Sequence, residues 1–492
     1  QGLRTKNENG SIIFAYGGDF GRYPATDHNF NNNGFIRPDR EPEPEASEIR
    51  HIYQDIWVTP INISKGELEI YNEYFFRDLS NVRLEWELLA NGESIAKGNE
   101  DALNVKPQER RQISLKGFSV PDDAKDKELL LNINFRIKTV EPLLDVNYVI
   151  AHQQLPVSQY KFPTVESLMP KATAEQPEIR TVKKSKKKDE TAAPAEKVVK
   201  QEQLACLSLA AGHTTVTFNK STGWIDYLDI DNAPAFKKGY SLVPDFWRAP
   251  TDNDYGASLQ NHFAAWKNPQ MDLKSFECKE LGEAKQVIAK YDMPGVSAKL
   301  EMTYTLRPDG QLIVNQKLIT DPNAKDKPQM FRYGMQLVMP RDFVNLEYYG
   351  RGPGENYIDR NNSEHIGIFR QLVENQYWGY VRPQESGNHT DVRWWRVLSP
   401  KGMGLEFYSN APMECSSLNY LTSDLDDGPD KNKHQSHSGD LVQRPFTVVH
   451  ISQRQFGLGC VNSWGAWPEP EYQMPYGDRD FTFVIKPLTS AE

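Results

Sequence analysis

Three stretches of the 492-residue chain concentrate the residue types that could do chemistry. The first is Asp245-Phe246-Trp247-Arg248-Ala249-Pro250-Thr251-Asp252-Asn253-Asp254-Tyr255-Gly256. The second is Tyr349-Gly350-Arg351-Gly352-Pro353-Gly354-Glu355-Asn356-Tyr357, with Asp359-Arg360 after it. The third runs Arg382-Pro383-Gln384-Glu385-Ser386-Gly387-Asn388-His389-Thr390-Asp391-Val392-Arg393-Trp394-Trp395. Loops with Asp, Asn, Glu and Arg beside Trp supply what a sugar site needs: paired hydrogen bonds to vicinal hydroxyls and a flat stacking face. The same charges also serve by pairing with one another and tying loops to a sheet. Glu355, Glu385, Asp391 and Asp252 read as such an ion-paired scaffold, with Arg351, Arg360, Arg382 and Arg393 as the nearby partners.

Other chemistry finds little support. His434-Gln435-Ser436-His437 has two potential metal ligands but sits among Asp, Lys and Ser; a structural zinc takes four ligands, so a solvated loop is expected. Cys206, Cys278, Cys415 and Cys460 are widely spread with no CxxC pair, which argues against metal clips and a disulfide framework. There is no phosphate-cradling P-loop or GxGxxG and no internal repeat. With 57 basic and 67 acidic residues the net charge is −10, which speaks against non-specific nucleic-acid binding. No run of 18 apolar residues exists to cross a membrane as a helix. Gln1 to Gly10 is polar, unlike a secretory signal, but the chain does not open on Met; compartment stays open between cytoplasm and periplasm.

The elements that must position these loops are mostly strands, and length alone suggests about three domains. Residues 1–57 differ from the rest: Gly17-Gly18 and Asn31-Asn32-Asn33-Gly34 mark irregular loops, followed by the Pro-punctuated Arg40-Glu41-Pro42-Glu43-Pro44. Ala46, Ile49, Ile52, Tyr53 and Ile56 then recur at helical spacing, which predicts one amphipathic helix over 45–56. One loop and one helix cannot form a core, so this segment reads as the tail of a larger domain, with an apolar helix face that invites self-association. Residues 58–160 alternate as short strands with an Asn91-Gly92 turn, the pattern of a small β-sandwich. Residues 161–202 hold Lys183-Lys184-Ser185-Lys186-Lys187-Lys188 and too few apolar groups to order, and read as a flexible linker. Alternation returns over 203–492, predicting one large antiparallel β-sandwich.

Taken together, the three polar stretches resemble the signature of the β-galactosidase small-chain domain, the C-terminal domain of long β-galactosidases of glycoside hydrolase family 2. Residues 12–53 resemble the last segment of that family's catalytic (β/α)8 barrel, notably Tyr16-Gly17-Gly18-Asp19-Phe20-Gly21, Asn33-Gly34 and Pro38-Asp39-Arg40. Residues 58–156 resemble the sandwich before the last domain. The resemblance implies a mainly β chain: a barrel remnant, an Ig-like sandwich, the linker and a galactose-mutarotase-like β-sandwich. It also implies a retaining β-galactosidase that acts on terminal β-D-galactose through two glutamates roughly 5 Å apart, one acid/base and one nucleophile. Both would lie on barrel strands preceding Gln1, so no catalytic residue is assigned here.

Secondary site residues follow from the resemblance alone. Asp27 and Asn33 belong to a loop that would bind sodium and the galactose 6-hydroxyl, with the Phe30 carbonyl and the Asn33 side-chain oxygen as ligands. Neutral oxygens suit such a hard cation, although an Asn-rich loop also needs no ion to turn. Trp464, in Asn462-Ser463-Trp464-Gly465, would stack on the leaving-group sugar. Ala466-Trp467-Pro468-Glu469-Pro470-Glu471 departs from the family pattern, which puts lactose preference in doubt. Gly256 matches a hinge that lets a loop close over the sugar, a plain turn being the alternative. Magnesium is expected for the whole enzyme, with its main ligands upstream. The expected partners are a galactoside, the remainder of a β-galactosidase chain or a large subunit, and further copies of the same chain. A naturally separate small subunit or a non-catalytic carbohydrate-binding protein is the alternative class; a start inside a barrel loop favours the first reading.

Overall fold

The computed structural model describes residues 2–21, 26–170, 198–459, 461–462 and 465–490. The architecture is mainly β, as the alternation demands, with helices of no more than eight residues among the described ones.

The first segment pairs Leu3–Lys6 with Ile12–Ala15 as an antiparallel ribbon. A 3-10 turn follows at His28–Asn32 and then one α-helix, Glu45–Ile52. The helix is real but shorter than its apolar periodicity predicts, because Ile56 already starts the strand Ile56–Asn62. Nor is its apolar stripe the buried one. Ile52 is 57% and Tyr53 79% exposed, whereas Glu48 and His51, one turn apart, are buried. The reason lies in the surface it meets: Glu48 accepts from the backbone N–H groups of Asn362 (3.2 Å) and Ser363 (2.9 Å), so the contact selects a carboxylate.

The small sandwich packs two sheets. One orders Ile56–Asn62, Glu67–Asn72 and Arg110–Ser114; the other orders Glu93–Glu100, Val82–Ala90, Leu129–Ile137 and Val149–Ser158. Period-two alternation turns Leu84, Trp86, Leu88, Leu131, Ile133 and Phe135 into one core. Asn91 and Gly92 join two of these strands with φ of 47° and 84°, the twist a two-residue hairpin requires. Opposite Trp86 sits Gly98, where a Cβ would lie 2.7 Å from the indole ring, so only glycine lets the strand lie flat on it.

The large domain holds a five-stranded sheet, Val199–Glu202 to Ala233–Pro234, packed on a twelve-stranded antiparallel sheet through a core running from Leu207 to Ile485. The lysine run and the rest of residues 171–197 lie outside the described residues. On either side the chain is attached: Leu168 is buried with Ile313 and Val484, and Val199–Glu202 pairs with Cys206–Ala211 as a strand, although the sequence reading placed both in the linker. Sandwich and large domain meet where Leu89 and Leu130 pack on Tyr349 and Ile366. Beside them the buried Glu128 pairs with Arg393 at 2.6 Å and accepts from the Tyr349 hydroxyl.

A Gly98→Ala substitution should cost about 1–3 kcal/mol through overpacking against Trp86. Denaturant unfolding would show it as a lower midpoint, and Trp86→Leu in the same chain should recover part of the loss.

Candidate functional site

The charges of the three polar stretches are spent largely in ion pairs, some within the stretches and others with partners outside them. Arg248, fully buried, makes a two-point contact with Asp254 (2.7 and 3.1 Å) and donates to the Phe456 and Gly457 carbonyls. Asp254 also closes a capping box with Thr251, which starts the short helix Asp252–Gly256. Arg332 bridges Asp245 and Glu385, each at 2.8 Å, and His450 adds a 2.7 Å contact to Asp245. Burial alone would raise the Asp245 carboxyl, yet Arg332 and His450 hold it well below the usual carboxylate range. Glu355 takes Arg360 (2.9 Å), Ser386 Oγ (3.0 Å), the Gly387 N–H (2.6 Å) and the Tyr380 hydroxyl.

The scaffold reading of Glu355, Glu385, Asp391 and Asp252 thus matches the geometry, with partners partly different from those expected. Arg360 and Arg351 pair within the stretches, the latter with Asp391 at 2.5 Å. Glu385 instead takes Arg332 and Asp252 takes Lys431, both outside the stretches, while Arg382 and Arg393 reach away to Asp427 and Glu128. Packing between domains and between distant loops decides this, and it brings together residues as far apart in the chain as Glu128 and Arg393, 265 positions.

The third stretch also reaches the first segment. Arg382, 2% exposed, pairs with Asp427 (2.6 Å) and donates to the Tyr16 hydroxyl (2.6 Å), which in turn donates to the Ser436 carbonyl (2.7 Å). His437 packs its ring 4.9 Å from Tyr16 and contacts Asp19 (2.9 Å) and Asp440 (3.1 Å). Its loop is therefore no solvated turn throughout: His434 is exposed, but His437 is 4% exposed and clamped by carboxylates. Nothing local signals this, because the clamp comes from a segment 418 residues away. Gly18, at φ 112°, passes so close that a Cβ would sit 2.5 Å from Gln435 Oε1. Further along the same seam, Glu43 is buried and takes the Trp378 indole N–H at 2.5 Å. Burial raises its carboxyl to about 7.

This stitching sets where the residues implied by the family resemblance lie. Asp27 precedes the His28–Asn32 turn, exposed, with its carbonyl accepting from the Phe30 N–H at 3.1 Å. Phe30 is 63% exposed. Asn33 is also exposed, and its side chain makes no hydrogen bond among the described residues. Asn29 reaches across from the turn to Asp252 (2.7 Å), and Lys431 braces both. At the other end of the Asp252–Gly256 helix, about 6 Å along its axis, the Gly256 carbonyl lies 3.2 Å from where a Gly465 Cβ would sit. Trp464 lies outside the described residues, but its neighbour Gly465 is therefore against Gly256. Gly256 has ordinary helical φ and open space at its Cβ position, so this conformation does not itself require glycine there. One edge thus gathers the Asp27–Asn33 turn, Gly256 and the chain next to Trp464.

The exposed Asn33 side chain has the neutral oxygen that a hard monovalent ion takes, whereas Asn32 Oδ1, buried with no hydrogen-bond partner, is turned inward against Gly2. Among the described residues no group of three or more His, Cys, Asp or Glu could hold a metal.

A family model described as "Beta galactosidase small chain" matches residues 210–485, more than half of the molecule. The chain belongs to the β-galactosidase small-chain family. Ahead of that match, "Beta-galactosidase, domain 4" covers residues 68–158 and "Glycosyl hydrolases family 2, TIM barrel domain" residues 1–58. This small-chain family member is 28% identical over 492 residues to a β-galactosidase of Priestia megaterium, and 29% over 490 to one of Halalkalibacterium halodurans. Each alignment covers 99% of this chain but 44% of the relative, so the chain spans less than half the length of these proteins. Among solved structures, a galactose 1-epimerase of Lactobacillus acidophilus aligns with 59% of this chain and 97% of its own, at 10% identity and a TM-score of 0.30.

Two outcomes are expected at the seam. Arg382→Ala leaves Asp427 and Tyr16 buried without their cation and should cost about 3–5 kcal/mol; limited proteolysis should then cut between residues 2 and 44 faster. Glu43 in the native state keeps a proton that the unfolded chain releases between pH 4.5 and about 7. Stability should therefore fall as the pH rises through that window, and Glu43→Gln should flatten this loss in urea titrations at pH 5 and 8.

Proposed function

We propose that this chain is the C-terminal part of a retaining β-galactosidase that hydrolyses terminal non-reducing β-D-galactose. The observation that carries the reading is the order of the matches: barrel, domain 4 and small chain follow one another in a single polypeptide. The nucleophilic glutamate forms the galactosyl-enzyme; the acid/base glutamate protonates the leaving oxygen and then activates water. Both belong to barrel strands ahead of Gln1, and this chain supplies none of them.

What it supplies is the rim. Asn33 and the Phe30 carbonyl hold sodium, and Asp27 orients their loop. The ion contributes a fixed positive charge for the galactose 6-hydroxyl. Trp464 offers its face to the leaving-group sugar, and Gly256 lets the adjoining loop move. In support, the turn, Gly256 and Gly465 share one edge, held by Asn29, Asp252 and Lys431. Magnesium would be bound chiefly by groups on the barrel. The working partners are a galactoside, the polypeptide that bears the rest of the barrel, and further copies of the chain; nucleic acid and membrane are not among them.

Hydrolysis of a chromogenic β-galactoside tests the proposal. The chain alone should be inactive, activity should appear on mixing with the catalytic-barrel polypeptide, and Asn33→Ala should raise the sodium concentration that the mixture needs. Turnover by the purified chain alone would overturn it and return attention to Glu355, Glu385 and Asp391. Galactoside binding with no activity on mixing would instead favour a carbohydrate-binding protein.

A further inference from the structure

One histidine from each of the three parts of the chain meets the others at a single point. His51 comes from the helix Glu45–Ile52, His152 from the sandwich strand Val149–Ser158 and His365 from the large-domain strand His365–Leu372. Ring centroids are 5.0 Å apart for His51 and His152 and 4.9 Å for His152 and His365. His152 Nδ1 lies 3.0 Å from His365 Nε2. Such a bond has one ring donating and the other accepting, and an imidazolium pair cannot form it, because neither ring then keeps a lone pair. His51 Nδ1 is buried with no partner in the structure, and the ring is set edge-on to Trp57.

Charges of both signs surround the cluster: Glu48 and Arg50 from the helix, Glu87 from the sandwich, and Arg351 and Glu364 from the large domain, with Asp391 behind Arg351. Glu48 is committed to Asn362 and Ser363, and Asp391 to Arg351. Glu364 accepts from the Gly354 N–H at 3.1 Å, and burial raises its carboxyl. Glu48 favours charge on His51 and His152, and Glu87 lines the cavity beside His152, but burial outweighs these carboxylates at the rings. Adjacent contacts cross the same junction: the Gln154 amide pairs with both the backbone N–H (2.9 Å) and the carbonyl (2.8 Å) of Ile366, and Gln54 Oε1 takes the backbone N–H of His152 at 2.9 Å. A cavity of about 540 Å³, lined by His152, His365, Asn132, Asn134 and Ser363, gives water and protons access to the pair.

We propose that His51, His152 and His365 form an acid-operated latch: neutral, they hold the first segment, the sandwich and the large domain together, and protonated, they push the three apart. Burial, then the neighbouring imidazoles, depress the native-state values, to about 4 for His152 and about 3 for His365, with His51 also lowered by burial. An unfolded or opened histidine titrates near 6.5. Between those limits the open form binds protons that the closed form refuses, so closure is fully favoured above about pH 6.5 and weakens as the pH falls towards 4. The first segment also carries the Asp27–Asn33 turn, so acid would undock the candidate rim while the large β-core stays folded.

Hydrogen exchange and histidine NMR on the intact chain between pH 7.5 and 4.5 test this. After correction for intrinsic rates, protection of Glu48–Ile52 and His365–Leu372 should fall below about pH 6.5, and more steeply in a Glu43→Gln chain, because the closed-state proton on Glu43 opposes the histidines over the same window and each proton contributes about tenfold per pH unit. The core strand Ala284–Met293 should hold its protection. His365→Gln and, independently, His152→Gln should each flatten the slope by about tenfold per unit while leaving the fold at pH 7.5. Ring signals of His152 and His365 that titrate near 6.5 in the closed chain would overturn the latch. So would an unchanged slope in both variants, or loss of protection spread evenly over the molecule.

Discussion

Fully buried arginine is the constraint on which the rest of this structure depends. A guanidinium removed from water is tolerable only when its donors meet anions and carbonyls in good geometry. Arg248, Arg332 and Arg382 all lie in the interior, and each needs partners from several distant loops. Arg248 draws Asp254 to the strand end at Phe456; Arg332 draws Asp245 and Glu385 together; Arg382 draws Asp427 and Tyr16. The loops that look in sequence like ligand-binding loops are thereby rigid, and the freedom left for ligands lies at their outer edge.

The same chemistry explains how the first segment is held without a core of its own. Its helix buries Glu48 and His51 rather than Ile52 and Tyr53, and its other anchors are Tyr16, Asp19 and Glu43. Polar anchoring is specific in register, because each donor must find its acceptor, but it makes the junction responsive to protons. An apolar seam of equal area would be indifferent to pH. The exposed Ile52 and Tyr53 remain available to whatever else packs on that helix.

Placing the turn at residues 28–32 against the helix at 252–256 links two regions that belong to different family models. Asn29 and Lys431 set the position of the turn, and Gly465 sets that of the chain next to Trp464. In the proposed enzyme the small-chain domain therefore positions groups around a barrel mouth and leaves the bond-breaking to carboxylates elsewhere.

Period-two alternation with the Asn91-Gly92 turn determined the mainly β architecture by itself, because side-chain direction in a strand is local. Leu84, Trp86 and Leu88 turn inward for that reason alone. Motif spacing likewise carried the family, since Arg, Asp and Gly at those offsets are demanded by short loops and a capped helix. Which arginine meets which carboxylate was decided only by tertiary structure: Arg382 passes over its neighbours for Asp427 and Tyr16, and Glu385 takes Arg332. The buried face of the helix, the clamped His437 and the three-histidine junction were hidden for the same reason. Each depends on a surface contributed from hundreds of residues away, and a buried polar group takes whichever partner the fold delivers, a choice that no local pattern encodes.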